Sequence, residues 1–296
     1  MNSEHRINPV IVNYKTPDLT LRCVESIVRM GVAPLEDIIV VDNGSSDDSA
    51  ARLTRELGGA RLICVEHNRG YSAGINLGVE AVDREFVLVL NPDTHFVDQS
   101  IERVIAHFDT SPDVGLVGLE LVNTDGTRQF SARRFYSVLD IVCRRTSLGR
   151  CWPLKRRVER HLMTSAWESG DPFDADWVLG SGFAIRRDLF EKIGRMDEAY
   201  MLYMEDVDLC ARVWDKGYRV VCVPGARLIH DHHRSSAKGV FSSAGRLHLQ
   251  SLAIFRKKYR VPLFRAPEVR HIRLSSSEKA WLLSMLEQQH DTKEVN

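Results

Sequence analysis

The chain has 296 residues, 44% of them hydrophobic, enough for one large α/β domain, or a domain with a small addition, around an ordinary core. Its 40 Lys and Arg balance its 40 Asp and Glu, so the formal net charge of zero carries no overall polyanion-binding signature, and no nucleic-acid partner is expected. The six cysteines form no Cys-x-x-Cys pair, the first residues lack a signal-peptide core, and no run of about 18 apolar residues offers a transmembrane helix. These features predict a cytoplasmic protein and leave peripheral attachment to a membrane open.

In chain order, Val10–Val12, Ile38–Val41, Arg61–Val65 and Phe86–Leu90 read as strands. Their near-continuous Val, Ile and Leu content is that of strands buried on both faces of a parallel sheet. Between them, 18–29, 47–57, 73–82 and 99–108 read as helices, several starting with Ser or Asp at N-cap positions. Such alternation predicts right-handed crossovers and a doubly wound sheet, whose ligands sit outside the carboxyl ends of the strands. Asn13, Asp42, His67-Asn68 and Asn91-Pro92-Asp93 all fall just after a strand. Asn123-Thr124-Asp125-Gly126-Thr127 reads as a turn, its Asp-Gly favouring a hairpin.

From Arg128 to about Asp176 the alternation stops and the chain reads as irregular and basic. Arg144, Arg145, Arg150, Lys155, Arg156, Arg157 and Arg160 face only Asp140 and Glu159, with Phe135, Tyr136, Trp152 and several aliphatic residues interspersed. A solvated helical insertion and a surface for anionic lipid headgroups or a lipid-linked phosphate are equally consistent with this. Cys143, Cys151 and His161 have spacing too irregular to favour zinc. Regular structure resumes at Trp177–Ile185. A short helix follows, then a helix bearing Glu205, Asp206 and Asp208 that stops near Gly217, then strands at 219–223 and 228–230. Residues 241–259 read as helical and 261–272 as a linker. Ser275 to Glu278 gives a capping box for a last helix.

Asp93 stands two residues beyond a buried strand, where a carboxylate can hold Mg²⁺ or Mn²⁺ with few other protein ligands if a diphosphate supplies oxygens. His230 is a candidate second ligand, although a histidine there is more often structural and His232 and His233 compete with it. Asp42-Asn43-Gly44 joins a strand to a helix, either as a plain capped turn or as a base and ribose contact with glycine allowing close backbone approach. The passage Asn68 to Asn76 has neither the dinucleotide-binding nor the P-loop glycine spacing. On the acidic helix, Asp208 and Arg212 are spaced for an ordinary surface ion pair, which leaves Glu205 and Asp206 as candidate bases.

Together these segments resemble the family 2 glycosyltransferases of the GT-A fold, especially the rhamnosyltransferase-like branch. The resemblance runs from about residue 8 to 236. It is carried by Ile11–Tyr14, Val41–Asp47, Asn68–Tyr71 with Gly74 and Asn76, Leu90–Asp93, Gly180-Ser181-Gly182, Ile193-Gly194, Met196-Asp197-Glu198, Tyr203–Leu209 with Arg212, and His230. It implies a GT-A-type, doubly wound, mostly parallel sheet across 1–260. Residues 1–125 form its nucleotide-sugar half, 128–176 a basic insertion and 177–240 its catalytic and acceptor half, with a linker and helix at 261–296. It further implies an inverting, metal-dependent transfer from a dTDP- or UDP-linked sugar to a saccharide, with L-rhamnose and a polyprenyl-pyrophosphate-linked acceptor as the specific expectation, at the inner face of the plasma membrane in bacterial surface polysaccharide synthesis. By resemblance, Val12, Asn13, Tyr14 and Asp42 surround the base and ribose, and Asn76 and Asn91 lie closer to the sugar. Asp93 and His230 hold Mg²⁺ or Mn²⁺, Asp206 is the base, and Gly180, Ser181, Gly182 and Glu205 face the acceptor. Asn91 replaces the first acid of the family's Asp-x-Asp motif, removing one negative charge. A sugar-phosphate nucleotidylyltransferase and an inactive binding subunit are the alternatives; the former normally carries a glycine-rich signature that residues 10–20 lack.

Overall fold

The apolar runs form strands, as their Val, Ile and Leu content requires, and their order fixes where the polar strand ends meet. The computed structural model describes residues 6–145, 151–152, 154–231 and 243–259. Its strands are β1 (Ile7–Asn13), β2 (Ile39–Asn43), β3 (Arg61–Val65), β4 (Phe86–Leu90), β5 (Thr94–His95), β6 (Val114–Val122), β7 (Arg128–Gln129), β8 (Ala132–Arg133), β9 (Phe173–Asp174), β10 (Trp177–Val178), β11 (Gly182–Arg186) and β12 (Arg219–His230). Helices α1 (Pro17–Arg29), α2 (Ser49–Glu56), α3 (Tyr71–Val79) and α4 (Ile101–Thr110) alternate with the first strands. Later come α5 (Val138–Arg145), α6 (Leu154–His161), α7 (Thr164–Glu168), α8 (Arg187–Lys192), α9 (Glu205–Asp215) and α10 (Ser243–Lys258).

One ten-stranded sheet runs β3-β2-β1-β4-β11-β6-β12-β5, with β7 on β6 and β9 on β12, while β8 and β10 pair separately. β1 to β4 are mutually parallel, β11 is antiparallel to both β4 and β6, and β12 is parallel to β6. The long strands other than β11 therefore share one direction, as expected for a mostly parallel sheet. Alternate strand residues feed two cores. One holds Ile11, Val40, Leu88 and Val221 under α1, α2 and α4; the other holds Val10, Val41, Val89 and Cys222 under α3, α8, α9 and α10.

Several expectations need correction. β3 is an edge strand and only partly buried, so its apolar run does not mark burial on both faces. None of the cap residues Thr16, Asp48 or Ser100 makes a side-chain cap bond; Asp47 Oδ1 instead accepts the Ser49 N–H. β6 is a nine-residue, fully buried strand with no counterpart among the sequence expectations. The hairpin at 123–127 forms, with Leu121 opposite Gln129. The span 128–176 is not irregular: it carries α5, α6 and α7, and its charges pair, Arg157 with Asp140 and Arg134 with Asp176, both at 3.0 Å. The two extended pieces at 219–223 and 228–230 are one strand, β12, with a register shift between Val223 and Arg227. All six cysteines are unpaired by disulfides, and among the described residues no trio of His, Cys, Asp or Glu is placed to hold a metal, which removes the Cys143–Cys151–His161 arrangement. The expected linker and last helix, and His232 and His233, lie outside the described residues. Among the described residues no helix is long and apolar enough to cross a membrane.

Candidate active site

β1, β2 and β4 are parallel, so Asn13, Asp42 and Asn91 emerge on one rim. β11 runs the other way, with Gly182 opposite Leu90, so its first residues reach the same rim. Sheet topology thus brings Gly180-Ser181-Gly182 against Asn91-Pro92-Asp93. The Asn91 N–H donates to the Ser181 carbonyl at 3.2 Å, and Asn91 Nδ2 donates to Ser181 Oγ at 3.0 Å.

At the β1–β2 end of the rim, Asn13 Nδ2 donates to Asp42 Oδ2 at 2.7 Å, and Asp42 Oδ1 accepts the Ser45 N–H at 3.0 Å. Asn13 Oδ1 accepts from Thr16 and Thr20. Asn13 is therefore a buried brace that aims Asp42. Val12 is buried beneath α3, where a Cβ on Gly74 would come within 2.8 Å of it. Tyr14 is the exposed member at 44%, a ring face at the rim suited to stacking on a base. Gly44 has φ +72°, and a Cβ there would lie 2.3 Å from the His67 backbone. Its close approach serves the 67–68 loop; of the two sequence readings, a plain turn and a ligand contact, the backbone packing of Gly44 itself belongs to the former.

α3 ties this half to the acidic helix. Asn76 Nδ2 donates to the Met196 carbonyl and to Glu198 Oε1, while its Oδ1 accepts the Met196 N–H. Both ends of that amide are committed to the chain, so Asn76 braces the 196–198 segment against α3. The Ser72 hydroxyl donates to the Tyr200 carbonyl, and the Tyr71 hydroxyl to the Gly180 carbonyl at 3.0 Å. Burial raises the Tyr71 phenol well above its ordinary pKa, reinforced by the carboxylates of Glu205, Asp206 and Asp93. Tyr71 thus stands among all three acids.

Asp93 and His230 meet because β5 pairs antiparallel with β12, with Thr94 opposite His230, and the Asp231 N–H donates to the Asp93 carbonyl at 2.8 Å. His230 Nε2 lies 3.5 Å from Asp93 Oδ1, and that oxygen is buried without a hydrogen-bond partner among the described residues. A buried carboxylate oxygen left so is costly unless a cation meets it. The separation is close to the roughly 3 Å between adjacent ligands of a small octahedral ion. These two groups fit Mg²⁺ or Mn²⁺, with further oxygens coming from a diphosphate.

The acidic helix begins under backbone tension, since Tyr203 and Met204 both have φ +69°, a region non-glycine residues avoid. This entry aims Asp206 at the rim. Its Oδ2 accepts the Gly180 N–H at 3.0 Å and its Oδ1 the Val207 N–H at 2.8 Å. Glu205 is buried, and its Oε2 has no partner. Asp208 and Arg212 are not a surface pair, as their spacing suggested, but a fully buried one at 2.8 Å. Lys258 of α10 adds a contact to Asp208 at 2.6 Å and one to Asp197 at 2.9 Å, and the Tyr259 hydroxyl donates to Asp208. Burial pushes the Asp208 carboxyl up, but Arg212 and Lys258 outweigh it and hold it below the ordinary range. Asp208 is committed to Arg212, Lys258 and Tyr259, which leaves Glu205 and Asp206 as the candidate acids of this helix. Sequence reasoning missed Lys258, Tyr259 and Gln129, whose contacts with Asp208 and His230 depend on long-range pairing.

The family model for glycosyl transferase family 2 matches residues 10–194. The chain is 30% identical over 245 residues to the N-acetylglucosaminyl-diphospho-decaprenol L-rhamnosyltransferase of Mycobacterium tuberculosis, covering 78% of this chain and 77% of that one. Its fold is similar to two GT-A enzymes. One is GalNAc-T7 solved with UDP, GalNAc and Mn²⁺, with a TM-score of 0.61 at 16% identity, over 88% of this chain and 49% of that one. The other is the mannosyltransferase PcManGT of Pyrobaculum calidifontis solved with GDP-Man and Mn²⁺, with a TM-score of 0.59 at 17% identity, over 90% of this chain and 67% of that one. These findings displace the nucleotidylyltransferase alternative: the chain is a GT-A-fold glycosyltransferase of polysaccharide biosynthesis and belongs to glycosyltransferase family 2.

Proposed function

We propose that the protein transfers L-rhamnose from dTDP-rhamnose, with inversion, to a hydroxyl of a saccharide carried on polyprenyl pyrophosphate at the inner face of the plasma membrane. The observation that carries this reading is Asp206. It is a carboxyl at the rim that burial pushes up in pKa, and two backbone N–H groups orient it and favour its charged form against that burial. The likeness to the mycobacterial L-rhamnosyltransferase supports the sugar and the lipid-linked acceptor.

In this reading Asp42, aimed by Asn13, meets the ribose, while Val12 and Tyr14 flank the base. Asn91 and the wall behind Asn76 border the sugar, and Gly180, Ser181, Gly182 and Glu205 border the acceptor. Asp93 and His230 would hold Mg²⁺ or Mn²⁺, which when bound offsets charge on the departing diphosphate. Asp206 takes the proton of the acceptor hydroxyl. The oxygen then bonds to the anomeric carbon from the face opposite the diphosphate, which leaves with the electron pair of the broken C–O bond. Positioned general-base catalysis contributes about 10²- to 10⁴-fold. Asp206→Asn should therefore lower kcat by about that factor while the donor Kd stays nearly unchanged. Transfer to a polyprenyl-diphosphate-linked N-acetylglucosamine, followed by chromatography, checks both. Near-wild-type turnover in the variant removes Asp206 from the role, and transfer from UDP-sugars in place of dTDP-rhamnose redirects the donor assignment.

A further inference from the structure

Gln129 faces His230 from the neighbouring hairpin, and the proposed function gives it no task. β6 pairs parallel with β12, with Val122 opposite Ile229, and β7 folds back on β6, so the turn at 123–127 lies beside the metal-side end of β12. Gln129 Nε2 donates to the His230 carbonyl at 2.9 Å and to Asn123 Oδ1 at 2.7 Å. Both partners can only accept, so the sense of the Gln129 amide is fixed. Asn123 is oriented in turn: its Nδ2 donates to Thr127 Oγ1 at 2.8 Å, and the Thr127 hydroxyl donates to the Asp125 carboxylate at 2.6 Å. The remaining end, Gln129 Oε1, lies 2.8 Å from His230 Nδ1 and must accept there. In the neutral ring Nδ1 therefore carries the hydrogen, and Nε2 turns its lone pair toward Asp93 Oδ1.

We propose that Gln129 is a positioning residue that holds His230 as its Nδ1–H tautomer, so that Nε2 is presented as a ligand to a divalent cation at Asp93. This rests on the reading of Asp93 and His230 as the metal pair. The general expectation agrees with it, since the second ring nitrogen of a ligating histidine is held by an acceptor whose loss weakens metal binding about 10- to 100-fold. Neutral imidazole in water does not share this preference, so without Gln129 the ring is free to place its hydrogen on Nε2, where a cation must bind.

The test uses the full chain without metal at about pH 8, above the ordinary histidine pKa of about 6.5. Long-range ¹⁵N–¹H spectra distinguish the two tautomers, and the signal lost in His230→Ala identifies His230. Wild type should show Nδ1–H. Gln129→Leu should shift it toward Nε2–H and weaken Mn²⁺ binding, measured by EPR with dTDP present, by about 10- to 100-fold. An Nε2–H signal in wild type, or a Leu variant with unchanged tautomer and Mn²⁺ affinity, overturns the proposal. The wild-type spectrum decides even if a variant fails to fold. The metal reading is judged separately: unchanged Mn²⁺ affinity in His230→Ala removes that pair, whatever the tautomer.

Discussion

Glu205 and Asp206 are neighbours of like chemistry that their surroundings separate. Burial raises both carboxyls, and each raises the other's cost of ionising. Asp206 recovers its charge through the N–H groups of Gly180 and Val207, whereas Glu205 Oε2 finds no partner. Of the coupled pair Glu205 is the one driven well above its ordinary value, which leaves Asp206 the better placed for the proposed role of base. A carboxyl whose folded pKa is raised is at no disadvantage below its unfolded value. It becomes a growing cost as pH rises from that value through the folded one, about 1.4 kcal/mol for each tenfold change in proton affinity. Glu205→Gln keeps the neutral shape and removes the titration. Its melting temperature should match wild type near pH 4 and exceed it increasingly up to pH 8, with transfer activity retained within about tenfold. Calorimetry across that pH range checks the first expectation. A gap that stays flat or closes with rising pH would show that Glu205 is not held protonated.

At the scale of elements, α10 acts as a clamp on the loop that launches α9. Its Ser251 hydroxyl donates to the Leu202 carbonyl, and Lys258 joins Asp197 to Asp208 across a buried gap. Breaking one partner of a buried ion network strands the remaining charge, at about 3–5 kcal/mol. Lys258→Met should therefore cost about 3 kcal/mol in a urea melt and lower activity by loosening the entry to Asp206. Asp18→Ala, which breaks only the exposed pair with Arg52, should leave stability unchanged. The same contrast shows what was legible in the sequence. Spacing found the Asp208–Arg212 pair but not its burial, because Lys258 and Tyr259 arrive from a helix some 50 residues away. β1, β2 and β4 were legible as continuous apolar runs. β6 was not, because Gly115, Gly118 and Glu120 break its pattern. A Cβ on Gly118 would come within 2.5 Å of Val178, and Glu120 is buried against Arg128 and the Gly225 N–H. Without β6 the hairpin had no neighbour, so Gln129 could not be placed beside His230.

For the whole molecule, the proposed donor and metal groups come from both halves of the sequence yet stand on one rim of one sheet. Asp42 lies at the end of β2 and Asn91 follows β4 in the first half, and His230 ends β12 in the second. Strand order explains this, since β11 enters between β4 and β6 and makes the two halves share a single pair of cores. A ligand spanning the rim should thus stabilise the fold as a unit, in one transition. At a free concentration about 100 times its Kd, a ligand bound only by the native state contributes about 2.7 kcal/mol. For a chain of this size that corresponds to roughly 4 °C. Mn²⁺ alone, met by the proposed pair Asp93 and His230, should shift the melt little, while dTDP with Mn²⁺ should give the full effect. Asp93→Asn should lose the Mn²⁺-dependent part of the shift and keep the part due to dTDP alone, because the Asn13–Asp42 brace is untouched. Differential scanning calorimetry with dTDP, UDP and each metal separates these contributions. A melt unmoved by either diphosphate would remove the nucleotide from this rim, and a Mn²⁺ effect that survives Asp93→Asn would move the cation elsewhere.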